Sequence, residues 1–471
     1  METPEYDLAI IGAGAAGLIA ADFALQLGAT VALLERERIG GDCTWTGCVP
    51  SKSLTKVASV AQQVRSAARY GLDTTAPVTD LTRVREYLRA TIRHIYEPTA
   101  PQALREKGLA VHLGATRFLD SHTLETGGQR LRARRVLICT GAVPRRPALP
   151  GLEAVPYHTY QDIFENEHLP EALIVIGGGP VGCEIAQCYR RLGAQVTLVA
   201  ERLLPRAEPE AAQRLAQVFA QEGIALVRSR ATAVRSDGAR ALVRTAEGEV
   251  SSDLLLVAVG RVPRLDGLAL EAAGVRHGPH GVEVDAWLRT SVRHIYAAGD
   301  VIGGAQFSHL AGWQGFQAVR NALLPGAARG IPEAVPEVTF TVPEVAHIGL
   351  TEQAARERYG AHVRASSFDL GRVDRAVSED DARGLVKLIA RPDGRLLGAT
   401  IMGERAGEAL AEMALALSGR LGLRDLAAAI HPYPTYNSAI QLLATQMALE
   451  QRFSGPGGWV LRGLSRMWMR L

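Results

Sequence analysis

The hydrophobic and polar positions of the chain repeat one order of elements twice. Residues 6–11 form a short apolar run that predicts a buried strand, an Ala- and Leu-rich helical segment follows, and residues 30–34 form a second apolar run. Residues 172–176, a second helical segment and residues 195–199 follow the same order. The pattern predicts two strand–turn–helix–strand units, which are typical of α/β domains.

Three glycines lie in the turn of each unit. The first turn reads GAGAAG and the second GGGPVG, which places glycines at the key positions Gly12, Gly14, Gly17, Gly177, Gly179 and Gly182. In such a turn the first glycine permits a tight bend, the second lets a pyrophosphate approach the backbone, and the third lets helix and strand pack closely. One such motif is weak evidence, whereas two in the correct context predict two dinucleotide-binding domains or one internal duplication.

Proline and glycine clusters mark two boundaries, near residues 144–151 and 324–338. After the second boundary, the apolar pattern predicts an antiparallel sheet and two helices, at 338–340, 346–348, 385–389, about 404–420 and about 437–450. We therefore expect an α/β fold with two Rossmann-like domains and a C-terminal α+β domain. The expected bounds are 1–150 completed by 285–330, then 151–284, 331–454, and a tail at 455–471.

Composition narrows the class of protein. The 471 residues exceed one ordinary core, and with a formal charge of +3 the chain shows no basic stripe of the kind that binds nucleic acid. The amino-terminal segment lacks the features of a signal peptide, and no run of about 18 uncharged apolar residues occurs. Five cysteines in so long a chain are not a disulfide framework. We expect a cytoplasmic protein.

Glu35 ends the second strand of the first unit. An acidic residue at this position hydrogen-bonds the ribose 2′-hydroxyl of an adenine dinucleotide. The alternative, a surface glutamate after a strand, is less favoured because the spacing from Gly17 matches the motif. We predict that Glu35 binds ribose.

Cys43 and Cys48 follow the first unit, in the segment GGDCTWTGCVPSK. Such a pair suits a metal-site fragment, two unrelated buried thiols, or a redox disulfide. Zinc would need further ligands at similar spacing, and no second pair with histidine stands in a suitable loop, so we expect no metal site. The redox interpretation is favoured because it needs only two thiols that can approach each other near an electron source.

Three further cysteines have a different setting. Cys183 and Cys188 share the spacing of Cys43 and Cys48 but fall inside the predicted helix of the second unit, on different faces. Cys139 lies in an apolar strand predicted at residues 131–140. All three are predicted to be unreactive core thiols.

These segments together resemble the family of glutathione reductase, dihydrolipoamide dehydrogenase and mercuric reductase, over residues 5–453. The resemblance rests on the two glycine motifs, Glu35, GGDCTWTGCVPSK, CTGAVP, AVGRVPR, IYAAGD and FTVPEVAHIGLTE. It implies a homodimer in which residues 1–150 and 285–330 bind FAD, residues 151–284 bind NAD(P), and residues 331–454 form the dimerisation domain.

The resemblance also implies which residues bind the cofactors. Those expected to line the FAD site and its surroundings are Gly12, Gly14, Ala15, Gly17, Glu35, Arg36, Gly41, Asp42, Ala115, Thr140, Gly141, Gly260, Arg261, Asp300, Gln306, Phe307 and Ser308. Those expected to take the nicotinamide dinucleotide are Gly177, Gly179, Gly182, Glu201 and Arg202. Lys52 and Glu184 would pair near the flavin N5 atom.

The reaction that the resemblance implies is a relay. Hydride would pass from the nicotinamide to the flavin, and the flavin would reduce the disulfide of Cys43 and Cys48. Cys48 would face the flavin as a thiolate in charge-transfer contact, and Cys43 would be the interchange thiol that attacks substrate. Nearby positive charge and a helix start would stabilise such a thiolate.

The C-terminal motif departs from the family pattern. Disulfide reductases carry HPTxxE, whose histidine and glutamate serve the partner subunit, whereas this chain reads HPYPTYNSA and has Tyr433 and Ser438 at those positions. Tyrosine is a poor base near neutral pH. His431, two residues away, is favoured for packing or hydrogen bonding over catalysis.

Tyr433 makes the chain similar to mercuric reductase, a reaction that needs no base because Hg²⁺ prefers two thiolates. Mercuric reductases usually hand metal inward through a C-terminal cysteine pair, but no cysteine follows Cys188, and the usual N-terminal metal-carrier domain is not found. The likeness therefore supports the catalytic core rather than efficient mercury detoxification.

In the second unit Ala200 replaces the acid that selects NAD. Arg202 and Arg206 favour NADPH, although Glu201 would oppose its 2′-phosphate.

Three functions remain open: a reductase of soft metal ions, a dihydrolipoamide dehydrogenase or low-molecular-weight disulfide reductase, and a redox-sensing flavoprotein subunit. The third would use the tail, in which Arg462, Arg466 and Arg470 recur every four residues among apolar side chains. This tail resembles a short basic amphipathic helix that would contact an anionic membrane surface or a protein partner. Packing of the helix on the protein's own dimer is the favoured alternative.

Overall fold

The computed structural model describes residues 5–453 and 456–469. The chain forms two compact units, and its α/β architecture agrees with the predicted fold class. The first unit comprises the residues up to 177, 188–199 and 229–332, and the second comprises 178–187, 200–228 and the residues from 333 onward. Each unit is therefore assembled from separate stretches of the sequence.

A mixed sheet forms the centre of the first unit. Its strands, in spatial order, are Ala110–Leu113, Val31–Glu35, Glu5–Ile11, Gln129–Ile138, Thr123–Thr126 and Thr116–Phe118, and Ile295–Ala297 also pairs with Gln129–Ile138. The first four strands in this order are parallel to one another. Ile10 therefore has Leu33 on one side and Leu137 on the other. The first apolar run of the sequence is thus the buried middle of the sheet.

The helix Ala15–Gln26 packs closely on its neighbours because its buried residues are small. They are Ala16, Gly17, Ala20, Ala21 and Ala24. The helix Ser308–Leu323 lies against it, and a Cβ atom at Gly315 would stand 2.3 Å from the carbonyl oxygen of Ala16. Glycine at position 315 therefore lets the two helices approach each other.

Smaller elements complete the first unit. The strand Ala172–Ile176 is parallel to both Gln195–Val199 and Leu254–Val257. Antiparallel pairing joins Ala233–Asp237, Arg240–Thr245 and Gly248–Ser252, then Ala142–Pro144 with Arg261–Pro263, and His277–Gly278 with Gly281–Val282. The remaining helices are Gly41–Trp45, Cys48–Ser66, Leu81–Tyr96 and Pro101–Glu106, with 3₁₀ turns at Ala67–Tyr70, Glu97–Thr99, Leu152–Ala154, Ile163–Glu165, Leu270–Ala273 and Asp300–Ile302. The helix Pro180–Leu192 contains residues of both units.

An antiparallel sheet forms the core of the second unit. Its strands, in spatial order, are Glu337–Thr339, Glu344–Gly349, Leu396–Gly403, Leu385–Ala390 and Arg364–Asp369. Leu385–Ala390 is buried along its whole length. The other elements are the helices Pro209–Gln221, Glu352–Tyr359, Asp374–Ser378, Ala406–Ser418, Leu423–Ala428, Ser438–Phe453 and Pro456–Trp468, the strand Ala225–Val227 and the turn Leu370–Arg372.

The predicted elements and the observed ones differ mainly at their ends. The strand predicted at 338–340 ends at Thr339, because the N–H of Phe340 donates to the Glu184 carboxylate at 2.9 Å rather than to a strand. The strand predicted at 131–140 is Gln129–Ile138, and the Thr140 hydroxyl instead donates to the carbonyl of Arg264 at 2.7 Å. Among the elements of the second unit that the sequence pattern missed are Arg364–Asp369, Leu396–Gly403 and Leu423–Ala428.

Candidate active site

The first glycine turn combines two crowded positions with one open position. Gly12 has a φ of +105°, and a Cβ atom there would lie 2.3 Å from the carbonyl oxygen of Cys139. A Cβ atom at Gly17 would lie 1.9 Å from the carbonyl oxygen of Gly12, whereas one at Gly14 would have its nearest neighbour at 4.0 Å. The helix Ala15–Gln26 has no acidic residue in its first turn, so nothing acidic competes with a phosphate for its N–H groups.

Glu35 is buried at the end of its strand and is held by the backbone. Its Oε2 accepts from the N–H of Ala13 at 2.8 Å and its Oε1 accepts from the N–H of Glu37 at 2.7 Å. An ionised carboxylate has about four acceptor positions, so two remain for sugar hydroxyls. Arg36 points elsewhere, to an exposed ion pair with Glu37 at 2.6 Å. The glycine turn and Glu35 therefore fit an adenine dinucleotide.

Cys43 and Cys48 lie in successive helices. Cys43 is in the short helix Gly41–Trp45, and Cys48 is the first residue of Cys48–Ser66. Neither of the two forms a disulfide in the structure. A hydrogen bond to Cys48 and then burial raise the pKa of Cys43, and Ser308 opposes this shift. Because the start of a helix favours negative charge, Cys48 is the better position for a thiolate, with Cys43 as its protonated partner.

The segment at Gln306 brings a hydroxyl to the dithiol. The Oγ atom of Ser308 lies 3.3 Å from the Sγ atom of Cys48, and Ser308 begins the helix Ser308–Leu323. Phe307 precedes this helix, and its ring stacks on that of His309 at 5.3 Å. Sequence reasoning did not single out His309, because it lies one residue beyond the family segment used.

Four polar side chains form a hydrogen-bonded cluster beside the dithiol. Arg261 donates to Asp42 at 2.6 Å and forms an ion pair with Asp300 at 2.7 Å. The hydroxyl of Tyr160 donates to Asp42 at 2.9 Å and accepts from Arg261 at 3.1 Å. Asp42, Arg261 and Asp300 were predicted to line the cofactor site, whereas Tyr160 was missed because it lies in a loop without a motif.

The remaining predicted FAD contacts are backbone positions. Gly141 has a φ of +74°, and its carbonyl accepts from the N–H of Arg264 at 2.9 Å. The carbonyl of Gly260 accepts from the N–H of Arg145 at 2.9 Å, and that of Ala115 accepts from Gly127 at 3.4 Å. These bonds hold the loops in place, and direct contact of these residues with FAD stays a prediction.

The three other cysteines are buried. Burial raises the pKa of Cys139 and is the main cause of the raised pKa of Cys183. Cys188 lies 3.6 Å from the hydroxyl of Thr55. A buried thiol with a raised pKa is a poor nucleophile, so Cys139 and Cys183 are suited to packing rather than to electron transfer, and burial favours the same role for Cys188.

The second glycine turn repeats the contrast of the first. Gly177 has a φ of +122°, and a Cβ atom there would lie 2.3 Å from the carbonyl oxygen of Ala258, whereas one at Gly179 would meet nothing within 4 Å. Glu201 and Arg202 are exposed. Arg206 lies 3.7 Å from the carboxylate of Glu337. Open space at Gly179 fits a pyrophosphate, and the preference for NADPH stays a prediction.

Glu184 and Lys52 belong to different units, and their pairing stays a prediction. Glu184 is buried, and the bond from Phe340 fixes one of its carboxylate oxygens. Lys52 lies about one turn beyond Cys48 in the helix Cys48–Ser66. Gly182 is buried in the first turn of Pro180–Leu192.

Comparison with known proteins decides the family. A family model described as pyridine nucleotide-disulphide oxidoreductase matches residues 6–322, and the model of its dimerisation domain matches 335–444. The chain belongs to this family. The chain is 38% identical to a mercuric reductase from Streptomyces lividans, with 93% of this chain and 95% of that protein covered. It is 32% identical to a dihydrolipoyl dehydrogenase from Bacillus subtilis, with 93% and 98% covered.

Solved structures agree with this assignment. The HOCl-induced flavoprotein disulfide reductase RclA from Escherichia coli superposes with a TM-score of 0.84 at 26% identity, and the match covers 93% of this chain and 99% of that chain. LpdA from Mycobacterium tuberculosis superposes with a TM-score of 0.85 at 27% identity, and the match covers 94% and 100%. The chain is therefore an oxidoreductase of this family, whose members use FAD and NAD(P)H.

In the C-terminal segment of this pyridine nucleotide-disulphide oxidoreductase, Tyr433 and His431 contact polar groups of the same chain. The hydroxyl of Tyr433 donates to the Asp374 carboxylate, and this bond raises the pKa of the tyrosine. The ring nitrogens of His431 lie 2.9 Å from the Glu412 carboxylate and 3.0 Å from the Ala429 carbonyl. Tyr433 therefore keeps its proton near neutral pH and is not a base, and a catalytic role for either residue stays a prediction.

The tail of this family member is partly described, because Arg470 and Leu471 lie outside the described residues. The helix Pro456–Trp468 exposes Trp459, Val460, Leu464, Met467 and Trp468. Across residues 5–453 and 456–469, no helix is long and apolar enough to cross a membrane. The same residues contain no group of three or more His, Cys, Asp or Glu side chains that could hold a metal ion.

Proposed function

We propose that this chain is an NADPH-dependent flavoprotein reductase that delivers two electrons, through Cys43 and Cys48, to a soft metal ion such as Hg²⁺. The observation that carries the proposal is the thiol pair itself: Cys48 at the start of a helix, with Cys43 hydrogen-bonded to it. The relatives named mercuric reductase, at 34–38% identity over 93% of this chain, support the same chemistry. Residues 1–150 with 285–330 are proposed to bind FAD, 151–284 to bind NADPH, and 331–454 to form the dimer.

The chain's own residues have separate tasks in this reaction. Two adjacent thiolates suit a soft, two-coordinate metal ion, so Cys43 and Cys48 bind the substrate. Bound FAD supplies a carrier that accepts a hydride from NADPH and passes an electron pair onward. The balance is one NADPH and one Hg²⁺ consumed, with one NADP⁺, one Hg⁰ and one H⁺ formed. Because Tyr433 retains its proton, it can serve as a hydrogen-bond donor or a weak ligand and not as a base.

The test is Hg²⁺-dependent oxidation of NADPH by the purified FAD-loaded protein, with excess low-molecular-weight thiol to buffer free metal. Wild type is expected to turn over, whereas Cys43→Ser and Cys48→Ser are not. Cys139→Ser is the matched control, because that thiol is buried and burial raises its pKa. Absence of metal-dependent oxidation in the wild type refutes the proposal.

The second candidate is a dihydrolipoamide dehydrogenase or a low-molecular-weight disulfide reductase. It is favoured by the contact between a ring nitrogen of His431 and the Glu412 carboxylate at 2.9 Å, which orients the imidazole as a base in disulfide exchange requires. Turnover of dihydrolipoamide or of a disulfide panel would support it, and His431→Ala would then slow the reaction. An undiminished rate in that variant removes His431 from the mechanism.

The dimerisation domain is present at residues 335–444, and we propose that the protein is a cytoplasmic homodimer. Sedimentation velocity at micromolar concentration tests the dimer, and a monomer of 50.4 kDa would refute it. Fractionation of the host cell tests the location, with recovery in the cytosolic fraction expected.

The third candidate function depends on the tail, residues 455–471. We propose that this tail binds an anionic membrane surface. No Asp or Glu follows Glu450, whereas Arg452, Arg462, Arg466 and Arg470 do. The helix Pro456–Trp468 carries two exposed tryptophans, a residue type that suits the interface between lipid and water. Positive charge beside exposed apolar side chains matches an anionic bilayer better than it matches a neutral protein surface.

Co-sedimentation with vesicles tests this membrane contact. Full-length protein is expected to pellet with phosphatidylglycerol vesicles at low salt, to bind phosphatidylcholine vesicles weakly, and to be released as salt rises. Deletion of residues 456–471 should abolish binding. If deletion leaves binding unchanged, or if it dissociates the dimer without affecting vesicles, the helix packs on the protein's own dimer instead.

A further inference from the structure

The cluster of Asp42, Tyr160, Arg261 and Asp300 joins the segment of the reactive thiol to a carboxylate of the cofactor site. All three contacts of the guanidinium are short: Arg261 reaches Asp42 at 2.6 Å, Asp300 at 2.7 Å and the Tyr160 hydroxyl at 3.1 Å. The guanidinium also lies over the ring of Tyr160, 5.0 Å from its centre. A single arginine thus connects two carboxylates that lie 258 residues apart in the sequence.

The protonation states within this cluster are mutually consistent. Burial raises the pKa of Tyr160, so its hydroxyl remains a donor, and Asp42 is the acceptor. Burial alone would lower the pKa of Arg261, but the two carboxylates and Tyr160 raise it above its usual value. Burial also raises the pKa of Asp300, and Arg261 opposes that shift. The arginine therefore keeps its charge and stays bound to both carboxylates.

The backbone around Asp42 is tightly packed, and the Asp42 side chain adds a polar anchor to the Cys43 segment. Gly41 has a φ of +56°, and a Cβ atom there would lie 2.9 Å from the Cα atom of Gly14. The carbonyl of Asp42 accepts from the N–H of Thr46 at 2.9 Å, and a Cβ atom at Gly47 would lie 2.8 Å from that carbonyl oxygen. The segment is packed tightly on the first glycine turn, with Cys43 next in sequence to the anchored carboxylate.

We propose that Asp42 is a positioning residue that, through Arg261 and Tyr160, holds Cys43 at the distance from Cys48 at which the two thiols form their disulfide. Asp42 acts through the backbone of its neighbour and does not touch the substrate. The inference rests on the proposed redox role of the thiol pair, but not on the identity of the electron acceptor.

The experiment measures the equilibrium of the Cys43–Cys48 disulfide with dithiothreitol in the holoenzyme. Thiols are trapped by alkylation after equilibration, and mass spectrometry gives the oxidised fraction. This reaction is a two-electron, two-proton exchange between the protein dithiol and the reagent, so it needs neither NADPH nor an acceptor. A failed search for Hg²⁺ or disulfide turnover would therefore leave this test intact.

The expected results follow from the loss of the anchor. In Asp42→Asn the thiols are held together less well, so the equilibrium constant for disulfide formation should fall roughly tenfold, as expected when a charge-assisted bond worth about 1.4 kcal/mol is lost. Tyr160→Phe removes both hydrogen bonds of the Tyr160 hydroxyl but keeps the direct bond between Arg261 and Asp42, so it should lower the constant about threefold. Asp42→Glu, which keeps the charge, should recover part of the loss.

Two variants in the same unit separate positioning from general stability. Asp285→Asn weakens the bonds that the Asp285 carboxylate accepts from the N–H groups of Trp287 and Arg289, and Tyr296→Phe loses the buried bond that its hydroxyl donates to the carbonyl of Asn321. Both should lower the stability of the fold without moving the disulfide equilibrium. Wild-type equilibria in Tyr160→Phe and in Asp42→Asn would overturn the proposal, as would equal shifts in the two control variants.

Discussion

Two cysteine pairs in this chain have the same spacing and opposite environments. Cys183 and Cys188 share one continuous helix, so they are separated by about 7.5 Å along its axis and cannot form a disulfide without unwinding it. Between Cys43 and Cys48 the helix stops: Thr46 and Gly47 leave helical geometry, and a second helix begins at Cys48. The interruption of the helix, and not the number of residues between the cysteines, creates the reactive pair.

The largest expected effect separates the two pairs by activity. Cys43→Ser and Cys48→Ser should each lower acceptor-dependent oxidation of NADPH by about 1,000-fold, because the nucleophile is lost. Cys183→Ser and Cys188→Ser should stay within about twofold of wild type and lower the free energy of unfolding by about 1–2 kcal/mol. Steady-state kinetics and urea unfolding measure both. Wild-type activity in Cys43→Ser would show that Cys43 and Cys48 are not the reactive pair.

The second effect is the response of stability to alkaline pH. Burial raises the folded-state pKa of Cys183 above its usual value, so above about pH 8.5 the unfolded chain loses the thiol proton while the folded chain keeps it. Stability therefore falls as pH rises, by about 1.4 kcal/mol per pH unit for this thiol. Urea unfolding between pH 8.5 and 10 should show a smaller slope in Cys183→Ser. Equal slopes would mean that the thiol is not shielded from water.

A smaller effect concerns the hydroxyl beside the reactive pair. Ser308 lies 3.3 Å from Cys48 and lowers the pKa of Cys43. Ser308→Ala should therefore slow alkylation of the reduced dithiol by iodoacetamide at pH 7.5 by about fivefold, as expected for one lost hydrogen bond worth about 1 kcal/mol. Ser53→Ala is the control, because the Ser53 hydroxyl donates to the Val49 carbonyl at 2.9 Å, within its own helix. A similar slowing in both variants would remove the special role of Ser308.

The smallest expected effect concerns the unreactive pair, Cys183 and Cys188. The Thr55 hydroxyl lies 3.6 Å from Cys188 and donates to the carbonyl of Ser51 at 2.9 Å. Thr55→Val should cost about 0.5 kcal/mol of unfolding free energy and leave activity within about twofold. A loss of activity greater than about fivefold would show that Cys188 communicates with the chemistry, contrary to its setting.

Much of the nucleotide-binding architecture follows from the sequence. The strands at 172–176 and 195–199 have the predicted bounds because buried parallel strands read as continuous apolar runs. The glycine positions are recognisable because only glycine tolerates the crowding at Gly12 and Gly17. Such features are local, so a single stretch of sequence contains the whole signal.

Features that depend on distant contacts were not predictable in the same way. Tyr160 joins Asp42 and Arg261 only in the folded chain, and nothing adjacent to it in sequence marks that role. The strand Arg364–Asp369 has one fully buried side chain, Phe368, so its apolar period is too weak to read. His431 contacts the carboxylate of Glu412, which precedes it by 19 residues. The motif around His431 therefore does not reveal the hydrogen-bond partner of this histidine.

The contact between Cys48 and Ser308 has a consequence for synthesis of the protein. The two residues are 260 positions apart, and the strand Ile295–Ala297 must return to pair with Gln129–Ile138 in the first sheet. At about 5–20 residues per second, the ribosome needs roughly 13–52 seconds to add the intervening chain. The thiols therefore emerge long before the serine that contacts Cys48, and we expect the first sheet and the surroundings of the dithiol to be completed only after residue 308 has left the ribosome.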